Sequence, residues 1–517
     1  MHPKVETRSG GLRGVDESGV LAFRGIPYAA DAGASGRFRA PEEVKPWVGV
    51  RDASRCGPAS VQPVRLPASL RRLSAVPPRG VSEDCLHLNV WTPRLDSGAR
   101  PVMVWLHGGG FTRGSGSWYL YSGARLAARG DVVVVTLNYR LGALGFIHLD
   151  RVCGPGFEQS SNLGLRDQLA ALAWVRENID RFGGDANNVT VCGQSAGAMS
   201  VASLLGTDSE ERVFKRAILQ SGAAGHVLSR SRADEIAEAF LAALAQPART
   251  AGSLGEIPTS RILQAQGRIN REFANASELM VMVPCVDGAL IPQPPLSQVS
   301  GGHASDVDLM IGTTLDEWKL FSPLEARLPS LGRDELQERF AETLPIISPR
   351  APAPRVAAQL YRKAVQERGG RTTAFEVWSA YQSARIFHQP ASELARAHAE
   401  AGGRVYSYLF SWRPPAFGNS VGACHAIDVP FVFGFLSVPF LSSLRFIPGL
   451  MAPAQKLSGR MQDAWAGFAR SGDPGHSELP QWDLYDPEHR ASMRLDRQCG
   501  MVDRPLEAEI QLIESWR

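Results

Sequence analysis

Three absences narrow the class of protein that this sequence can encode. The formal net charge is only +3 over 517 residues, which is too small for a nucleic-acid-binding surface. No apolar run approaches the length of a membrane span, and the richest one, residues 429–441, is interrupted by Pro430 and Pro439. Residues 1–11 lack the apolar core of a secretory signal. We therefore expect a cytoplasmic protein with no nucleic-acid partner and no membrane span.

Cysteine is also scarce. The seven cysteines include no C-x-x-C pair, the arrangement that thiolate metal sites commonly use, and an odd number leaves at least one thiol unpaired. The His, Cys and Asp residues nowhere show the spacing of a metal-ligand cluster. We expect reduced thiols, no metal and no cofactor.

The sequence does contain a regular alternation of strand and helix patterns. Short apolar runs predict core strands at residues 86–91, 102–106, 132–137, 188–192, 217–220, 308–312 and 405–410. Helices are predicted at residues 164–179, 233–244, 334–343, 354–367, 373–401 and 451–470, the fifth with a kink at Pro390. This order predicts an α/β fold. We expect one domain over residues 1–517, with a large, mostly parallel sheet flanked by helices and helical insertions at roughly 230–300 and 325–400.

One short turn has the composition of a nucleophile-bearing turn, Gly193-Gln194-Ser195-Ala196-Gly197. It lies between a predicted strand and a helix-compatible stretch, residues 198–205, which is the context that a G-x-S-x-G nucleophile needs. The two glycines lack a Cβ atom, so the chain can turn sharply and leave the serine hydroxyl at the tip. That hydroxyl becomes a good nucleophile only when a neighbouring base takes its proton.

A glycine run, His107-Gly108-Gly109-Gly110-Phe111, directly follows the predicted strand at residues 102–106. Consecutive glycines let backbone N–H groups converge on one point. An acyl-transfer enzyme needs such donors to hold the oxyanion of its tetrahedral intermediate. Upstream of a strand-borne G-x-S-x-G turn, this run favours an oxyanion hole over a plain tight turn.

Candidates for the base and its orienting acid lie downstream of the serine. Asp316 and Glu317 follow the predicted strand at residues 308–312, and His425 stands in a loop-like stretch with Asp428 three residues later. His388 and other histidines in helical patterns are more typical of surface or core positions. Spacing alone leaves Asp316, Glu317 and Asp428 open as the acid.

Longer motifs resemble the type-B carboxylesterase family. They are F-R-A-P at residues 38–41, S-E-D-C-L-H-L-N-V at 82–90, N-Y-R-L-G-A-L-G-F at 138–146, N-L-G-L-R-D-Q at 162–168 and F-G-G-D at 182–185. The resemblance implies the α/β-hydrolase fold and hydrolysis of carboxylic esters without a cofactor. By position within the family's motifs, it implies Ser195 as the nucleophile, Glu317 as the acid and His425 as the base. It also implies that the oxyanion hole is formed by Gly109, Gly110 and Ala196.

Two departures from the family pattern bear on the substrate. The residue before the serine is usually Glu in the family and is Gln194 here, which removes a negative charge from the pocket. Family members that act on choline esters carry a tryptophan before the S-E-D-C motif, whereas residues 60–82 contain no aromatic residue, so a platform for a quaternary ammonium is missing. The implied partner is a small-molecule ester that is neutral and fairly apolar. Amide or carbamate hydrolysis at the same site, and a non-catalytic binding member of the family, are the alternatives.

The acyl pocket is expected beside the P-x-x-D-G segment at residues 284–288, which the resemblance associates with that pocket. Met280 and Met282 precede the segment and would give a soft, adaptable apolar wall. Phe111 beside the glycines and Trp318 beside the acid would add aromatic surface, and Gln194 completes the predicted substrate-binding set.

Secreted members of the family join the cysteine of the S-E-D-C motif, here Cys85, to a cysteine in the preceding loop. The matching place holds Ser60, with Cys56 four residues earlier, so we expect Cys85 to stay reduced. Ester hydrolysis should therefore survive a metal chelator and a thiol reductant added together. Loss of activity under the chelator alone would reveal a metal site, and loss under the reductant alone would reveal a required disulfide.

Overall fold

The computed structural model describes residues 2–33, 36–63, 80–207, 212–245, 250–274, 280–321, 331–347, 350–414, 421–436 and 451–517. Its strands are β1 (Lys4–Thr7), β2 (Gly10–Arg13), β3 (Val15–Glu17), β4 (Val20–Pro27), β5 (Val50–Asp52), β6 (Ala59–Ser60), β7 (Val81–Ser82), β8 (His87–Thr92), β9 (Arg100–Leu106), β10 (Val133–Leu137), β11 (Gly184–Gln194), β12 (Arg216–Gln220), β13 (Asp308–Thr314), β14 (Val405–Phe410), β15 (Ser492–Leu495) and β16 (Gly500–Val502).

The helices of the described ranges flank these strands. They are α1 (Ala124–Gly130), α2 (Ala143–Phe146), α3 (Leu163–Asn178), α4 (Ala196–Leu205), α5 (Arg230–Ala243), α6 (Ala251–Gly255), α7 (Thr259–Phe273), α8 (Pro295–Ser300), α9 (Arg333–Ile347), α10 (Pro354–Glu367), α11 (Ala374–Ser383), α12 (Gln389–Glu400), α13 (Val429–Val432), α14 (Met451–Ser471) and α15 (Glu507–Trp516).

Eleven of the described strands form one mixed sheet, in the order β3-β4-β8-β10-β9-β11-β12-β13-β14-β15-β16. The seven central strands from β10 to β15 pair in parallel, and the pairings at both margins are antiparallel. Parallel strands end at the same edge of a sheet, so the segments that follow β9, β11, β12 and β13 come together there. Ligands of open parallel sheets bind at this edge.

Both faces of the sheet are covered, as the uninterrupted apolar strands predict. Along β9, Val102, Val104 and Leu106 belong to the larger hydrophobic core. The alternating residues Met103 and Trp105 belong to a second core on the other face. Successive side chains of a strand point to opposite faces, so a strand between two apolar layers has to be apolar throughout.

The predicted core strands and helices are confirmed, with boundary shifts of a few residues. The sequence predicts a kink at Pro390, and the structure shows what form the irregularity between α11 and α12 takes. A π-helical turn, Ala384–His388, separates the two helices and ends two residues before Pro390. Proline cannot donate a backbone hydrogen bond, and a wider turn that contains one extra residue accommodates that loss.

A buried ion pair joins the N-Y-R segment to helix α3. The Nη2 and Nε atoms of Arg140 lie 2.6 and 2.8 Å from the two carboxylate oxygens of Asp167, and the backbone N–H of Arg140 also donates to Asp167. Both side chains are almost fully buried. Removing one partner of such a pair leaves an uncompensated buried charge.

Asp167→Asn should therefore lower the free energy of unfolding by about 3–5 kcal/mol, measured by denaturant unfolding. Asp463→Asn is the matched control, because Asp463 makes a similar pair with Arg129 on the surface, where such pairs contribute about 0–1 kcal/mol. Equal effects of the two substitutions would contradict the structural role of the buried pair.

Candidate active site

Ser195 lies on a strained turn between β11 and α4. Its backbone has φ 57° and ψ −127°, a conformation that residues with a Cβ atom rarely adopt. The neighbouring glycines permit this turn by close approach: a Cβ atom on Gly193 would lie 2.3 Å from the carbonyl carbon of Gly197. The backbone N–H of Ser195 donates to the carbonyl of Gln220 at 2.9 Å, which fixes the turn to the end of β12.

Glu317 and His425 are in direct contact. Glu317 opens a 3-10 turn after β13, and its Oε2 lies 2.6 Å from Nδ1 of His425. The other carboxylate oxygen accepts from the backbone N–H of Thr314 at 2.8 Å. Burial opposes ionisation of Glu317, but the charge and hydrogen bond of His425 outweigh it and hold the pKa of the carboxyl below its usual value. A buried carboxylate therefore faces one side of the imidazole.

The other two candidate acids bind different partners. Asp316 accepts from Arg413 and from the backbone N–H of Ala423. Asp428 accepts from Gln220 at 2.8 Å and from Tyr408 at 3.2 Å, and burial raises its pKa to about 6. In the described part of the chain, neither carboxylate shares a hydrogen bond with His425.

Gln194 contacts the opposite side of the imidazole. Its side-chain amide nitrogen lies 3.0 Å from Nε2 of His425, and Gln194 is buried. An amide nitrogen can only donate, so Nε2 accepts and the ring proton resides on Nδ1, towards Glu317. This is the tautomer in which a histidine can take a proton at Nε2. Among the described hydrogen bonds, none joins the Ser195 hydroxyl to His425, since Gln194 occupies that nitrogen.

The glycine run packs directly against the serine. A Cβ atom on Gly108 would lie 3.0 Å from Cβ of Ser195. Gly109 and Gly110 have φ values of 119° and 60°, which favour glycine. Within the described part of the chain, the backbone N–H groups of Gly109, Gly110 and Ala196 donate to no protein acceptor. Backbone donors without a protein acceptor therefore lie in the segments on both sides of the contact with Ser195.

The predicted pocket residues fall into two groups. Met280 is partly buried and lies beside Gly110: a Cβ atom on that glycine would be 3.7 Å from the methionine sulfur. Met282 and Phe111, by contrast, have no exposed surface and belong to the main core. Trp318 is also buried there, against Phe321. Most of the loop at residues 60–82 lies outside the described residues.

Two aromatic residues at the base were missed by the sequence reasoning. The ring centroids of Phe321 and Phe387 lie 5.3 and 4.7 Å from that of His425. Phe321 is four residues after Glu317, so its proximity to the acid in sequence could have identified it. Phe387 belongs to the π-helical turn, and no motif marks it.

Metal clusters and membrane-spanning helices are both absent from the described residues. No cluster of three or more His, Cys, Asp or Glu side chains could hold a metal ion. No described helix combines the length and apolar character needed to cross a bilayer. Cys56 and Cys85 are both free thiols.

The chain is similar to known esterases along nearly its whole length. The profile of the Carboxylesterase family matches residues 1–513. A para-nitrobenzyl esterase of Bacillus subtilis is 36% identical over 98% of this chain and 97% of its own length. A phenmedipham hydrolase of Pseudarthrobacter oxydans is 34% identical, covering 98% of this chain and 97% of that protein. A solved Geobacillus stearothermophilus carboxylesterase superposes with a TM-score of 0.85 and 35% identity, over 99% of this chain and 100% of that one.

The match covers nearly the whole chain in both sequence and structure, and these relatives share the α/β-hydrolase fold. The chain belongs to the carboxylesterase family and is a carboxylic ester hydrolase.

Proposed function

We propose that the protein hydrolyses neutral, fairly apolar carboxylic esters through an acyl-enzyme intermediate, with Ser195, His425 and Glu317 as the catalytic triad. One observation carries the assignment: the 2.6 Å contact between Glu317 and Nδ1 of His425, which leaves Nε2 unprotonated near the strained turn of Ser195. The assignment is also supported by the topology, because Ser195 follows β11 and Glu317 follows β13, two strands that end at the same edge of the sheet.

In the first step, Nε2 of His425 takes the proton of the Ser195 hydroxyl while the oxygen attacks the ester carbonyl. The imidazole becomes positively charged, and the ionised carboxylate of Glu317 stabilises that charge and fixes the ring orientation. His425 then gives the proton to the departing alcohol. A water molecule repeats the sequence on the acyl-enzyme and releases the acid.

The oxyanion of each tetrahedral intermediate needs donors that are already in position. The N–H groups of Gly109, Gly110 and Ala196 suit this role, because they flank the serine and have no protein acceptor in the described structure. Loss of one such donor costs about 3–4 kcal/mol of transition-state stabilisation. Unused donors require no rearrangement when the charge develops.

Gln194 has to release Nε2 before the serine can use it. The amide donates to the same lone pair that accepts the hydroxyl proton. Because the amide is neutral, it holds the imidazole in the reactive tautomer without adding a negative charge that would attract a cationic alcohol. This supports a neutral alcohol as the leaving group. We also propose a cytoplasmic location, which the free thiols support.

The triad assignment predicts a ranked series of variants. Ser195→Ala should leave less than about 1% of the activity, because losses of a triad nucleophile are far larger than that. Glu317→Gln should lower kcat by about 10³–10⁴-fold, since the imidazole loses its orienting charge. The measurement is steady-state hydrolysis of 4-nitrophenyl butyrate by purified variants whose melting temperatures match that of the wild type.

Asp428→Asn and Asp316→Asn are the matched controls, since each removes a buried carboxylate charge close to the same histidine. Both should reduce kcat much less than Glu317→Gln. If Asp428→Asn were the most damaging of the three, the acid would be Asp428 and the assignment would be wrong.

Met280 and Met282 test the acyl pocket as a pair. Met280→Phe should reduce the ratio of kcat/KM for 4-nitrophenyl octanoate to that for the acetate by about 5–150-fold, because added volume at a pocket wall penalises the long chain by about 1–3 kcal/mol. Met282→Phe should instead overpack the core and lower stability by about 1–3 kcal/mol. Its ratio should stay unchanged, because Met282 has no exposed surface.

A change of ratio in Met282→Phe alone would remove Met280 from the pocket. The same panel should include acetylcholine and its neutral isostere 3,3-dimethylbutyl acetate. Preference for acetylcholine would contradict the proposed neutral alcohol.

A further inference from the structure

Arg385 is a partly buried cation that has no anionic partner among the described residues. It lies in the π-helical turn, and its Nε atom donates to the side-chain oxygen of Gln382 at 3.0 Å. One terminal nitrogen, Nη2, has almost no contact with solvent and makes no hydrogen bond. Among the described residues, no carboxylate forms an ion pair with this guanidinium. Withdrawing a charge from water without a partner is costly, so the arrangement lacks an anion.

His226 is near Arg385 and also has a shielded nitrogen without a hydrogen-bond partner among the described residues. It follows β12 in the loop that leads towards α5, and its Nδ1 atom is shielded from solvent with no hydrogen-bond partner. This loop meets helix α12: a Cβ atom on Gly225 would lie 3.8 Å from Cβ of Pro390. Burial and the positive charge of Arg385 lower the pKa of His226 to about 4. The imidazole is therefore neutral at pH 7, and Arg385 alone carries charge.

The nearby polar groups do not compensate that charge. Tyr361 donates its phenolic proton to the carbonyl of Glu509, and Tyr381 donates to the hydroxyl of Thr343. Burial raises the pKa of both phenols, so both stay neutral. The carboxylate of Glu509 is itself paired with Arg368 at 2.7 Å. The guanidinium is left with neutral neighbours.

Arg385 and His226, which we call the orphan pair, are both connected to the reaction centre by short stretches of chain. Phe387, two residues after Arg385, packs against His425. Gly222, four residues before His226, lies against the backbone of Ser195: a Cβ atom there would be 2.5 Å from the serine carbonyl oxygen. Four residues of extended chain span at most about 14 Å. His226 therefore lies within about 14 Å of chain of a residue that touches Ser195, and Arg385 lies two residues from one that packs against His425.

The chain that follows His226 pairs with the segment assigned to the acyl pocket. Two residues after His226, Leu228 forms a β-bridge with Cys285, and its N–H donates to the carbonyl of Pro284. The same segment carries Met280 beside the oxyanion glycines. The contact of Leu228 with this segment therefore links the chain around His226 to the segment that carries Met280.

We propose that Arg385 and His226 form a carboxylate-binding site at the far end of the acyl pocket, so that the enzyme also accepts monoesters of dicarboxylic acids. This inference rests on the proposed function. The guanidinium supplies a charge-assisted hydrogen bond from Nη2, and the imidazole supplies a neutral N–H donor. The alcohol remains neutral, and the charge is carried by the acyl chain.

The test compares two esters of equal shape. Mono-4-nitrophenyl glutarate carries a terminal carboxylate where 4-nitrophenyl 5-methylhexanoate carries an isopropyl group. In Arg385→Leu, the ratio of kcat/KM for the glutarate to that for the methylhexanoate should fall at least about tenfold relative to wild type. Arg385→Lys keeps the charge and should retain most of the ratio. His226→Ala should lower it by a smaller factor.

Two further measurements separate the site from other causes. Melting temperature should be unchanged or raised in Arg385→Leu, because the substitution removes an unpaired buried charge. Free glutarate should inhibit hydrolysis of 4-nitrophenyl acetate by wild type more strongly than by Arg385→Leu, which shows that the site recognises the carboxylate itself.

An unchanged ratio in Arg385→Leu would overturn the proposal. Equal losses on both esters together with a lower melting temperature would also overturn it, because Arg385 would then be structural. Failure of the proposed triad is recognised separately, since hydrolysis of the neutral ester would then persist in Ser195→Ala.

Discussion

The contact between the end of β9 and the turn after β11 is the constraint on which the reaction centre depends. A Cβ atom on Gly197 would lie 2.0 Å from the carbonyl oxygen of Leu106, so the two backbones touch with no room for a side chain. The parallel pairing of β9 with β11 sets this contact along both strands. The glycine run that follows Leu106 is thereby held against Ser195. The proposed oxyanion donors and the proposed nucleophile are therefore fixed next to each other, which is the arrangement that electrostatic stabilisation of an oxyanion requires.

Electrostatic balance around His425 depends on a division between charged and neutral partners. Glu317 is ionised on the Nδ1 side, and neutral Gln194 contacts the Nε2 side. The rings of Phe321 and Phe387 cover the imidazole and limit the access of water. In such surroundings a single carboxylate has more influence on the imidazolium than it would in water. Glu317 and Gln194 together therefore fix the orientation of the ring.

Much of the fold and of the candidate site could be predicted from the sequence, for physical reasons. Strands covered on both faces have to be apolar along their whole length, so β9 and β10 are visible as runs. Close backbone approach demands glycine, so the turns around Ser195 and Gly109 are visible as motifs. The choice of Glu317 over Asp316 was not accessible from spacing, because adjacent residues differ only in the direction of their side chains. The sequence also did not show that Met282 is buried in the core while Met280 is partly exposed, because two methionines two residues apart look alike in sequence.

Long-range arrangements were the least accessible part. Arg385 and His226 are more than 150 positions apart in sequence, and Arg385 lies in a π-helical turn. Neither residue belongs to a motif. Pro390 indicated that the helix is disturbed. It did not indicate the π-helical turn, whose extra residue changes the direction of the side chains around it. Packing of whole helices decides such details, and no local pattern encodes it.

The backbone strain at Ser195 sets stability and catalysis in opposition at one position. Glycine adopts φ 57° and ψ −127° more readily than serine does, so a glycine at residue 195 would relax the turn and abolish the nucleophile in the same substitution. Selection for a more stable chain alone would favour that loss, with a gain of about 1 kcal/mol. The serine therefore persists only under continuous selection for turnover. A lineage released from that selection would be expected to lose its nucleophile early, while the rest of the fold remained intact.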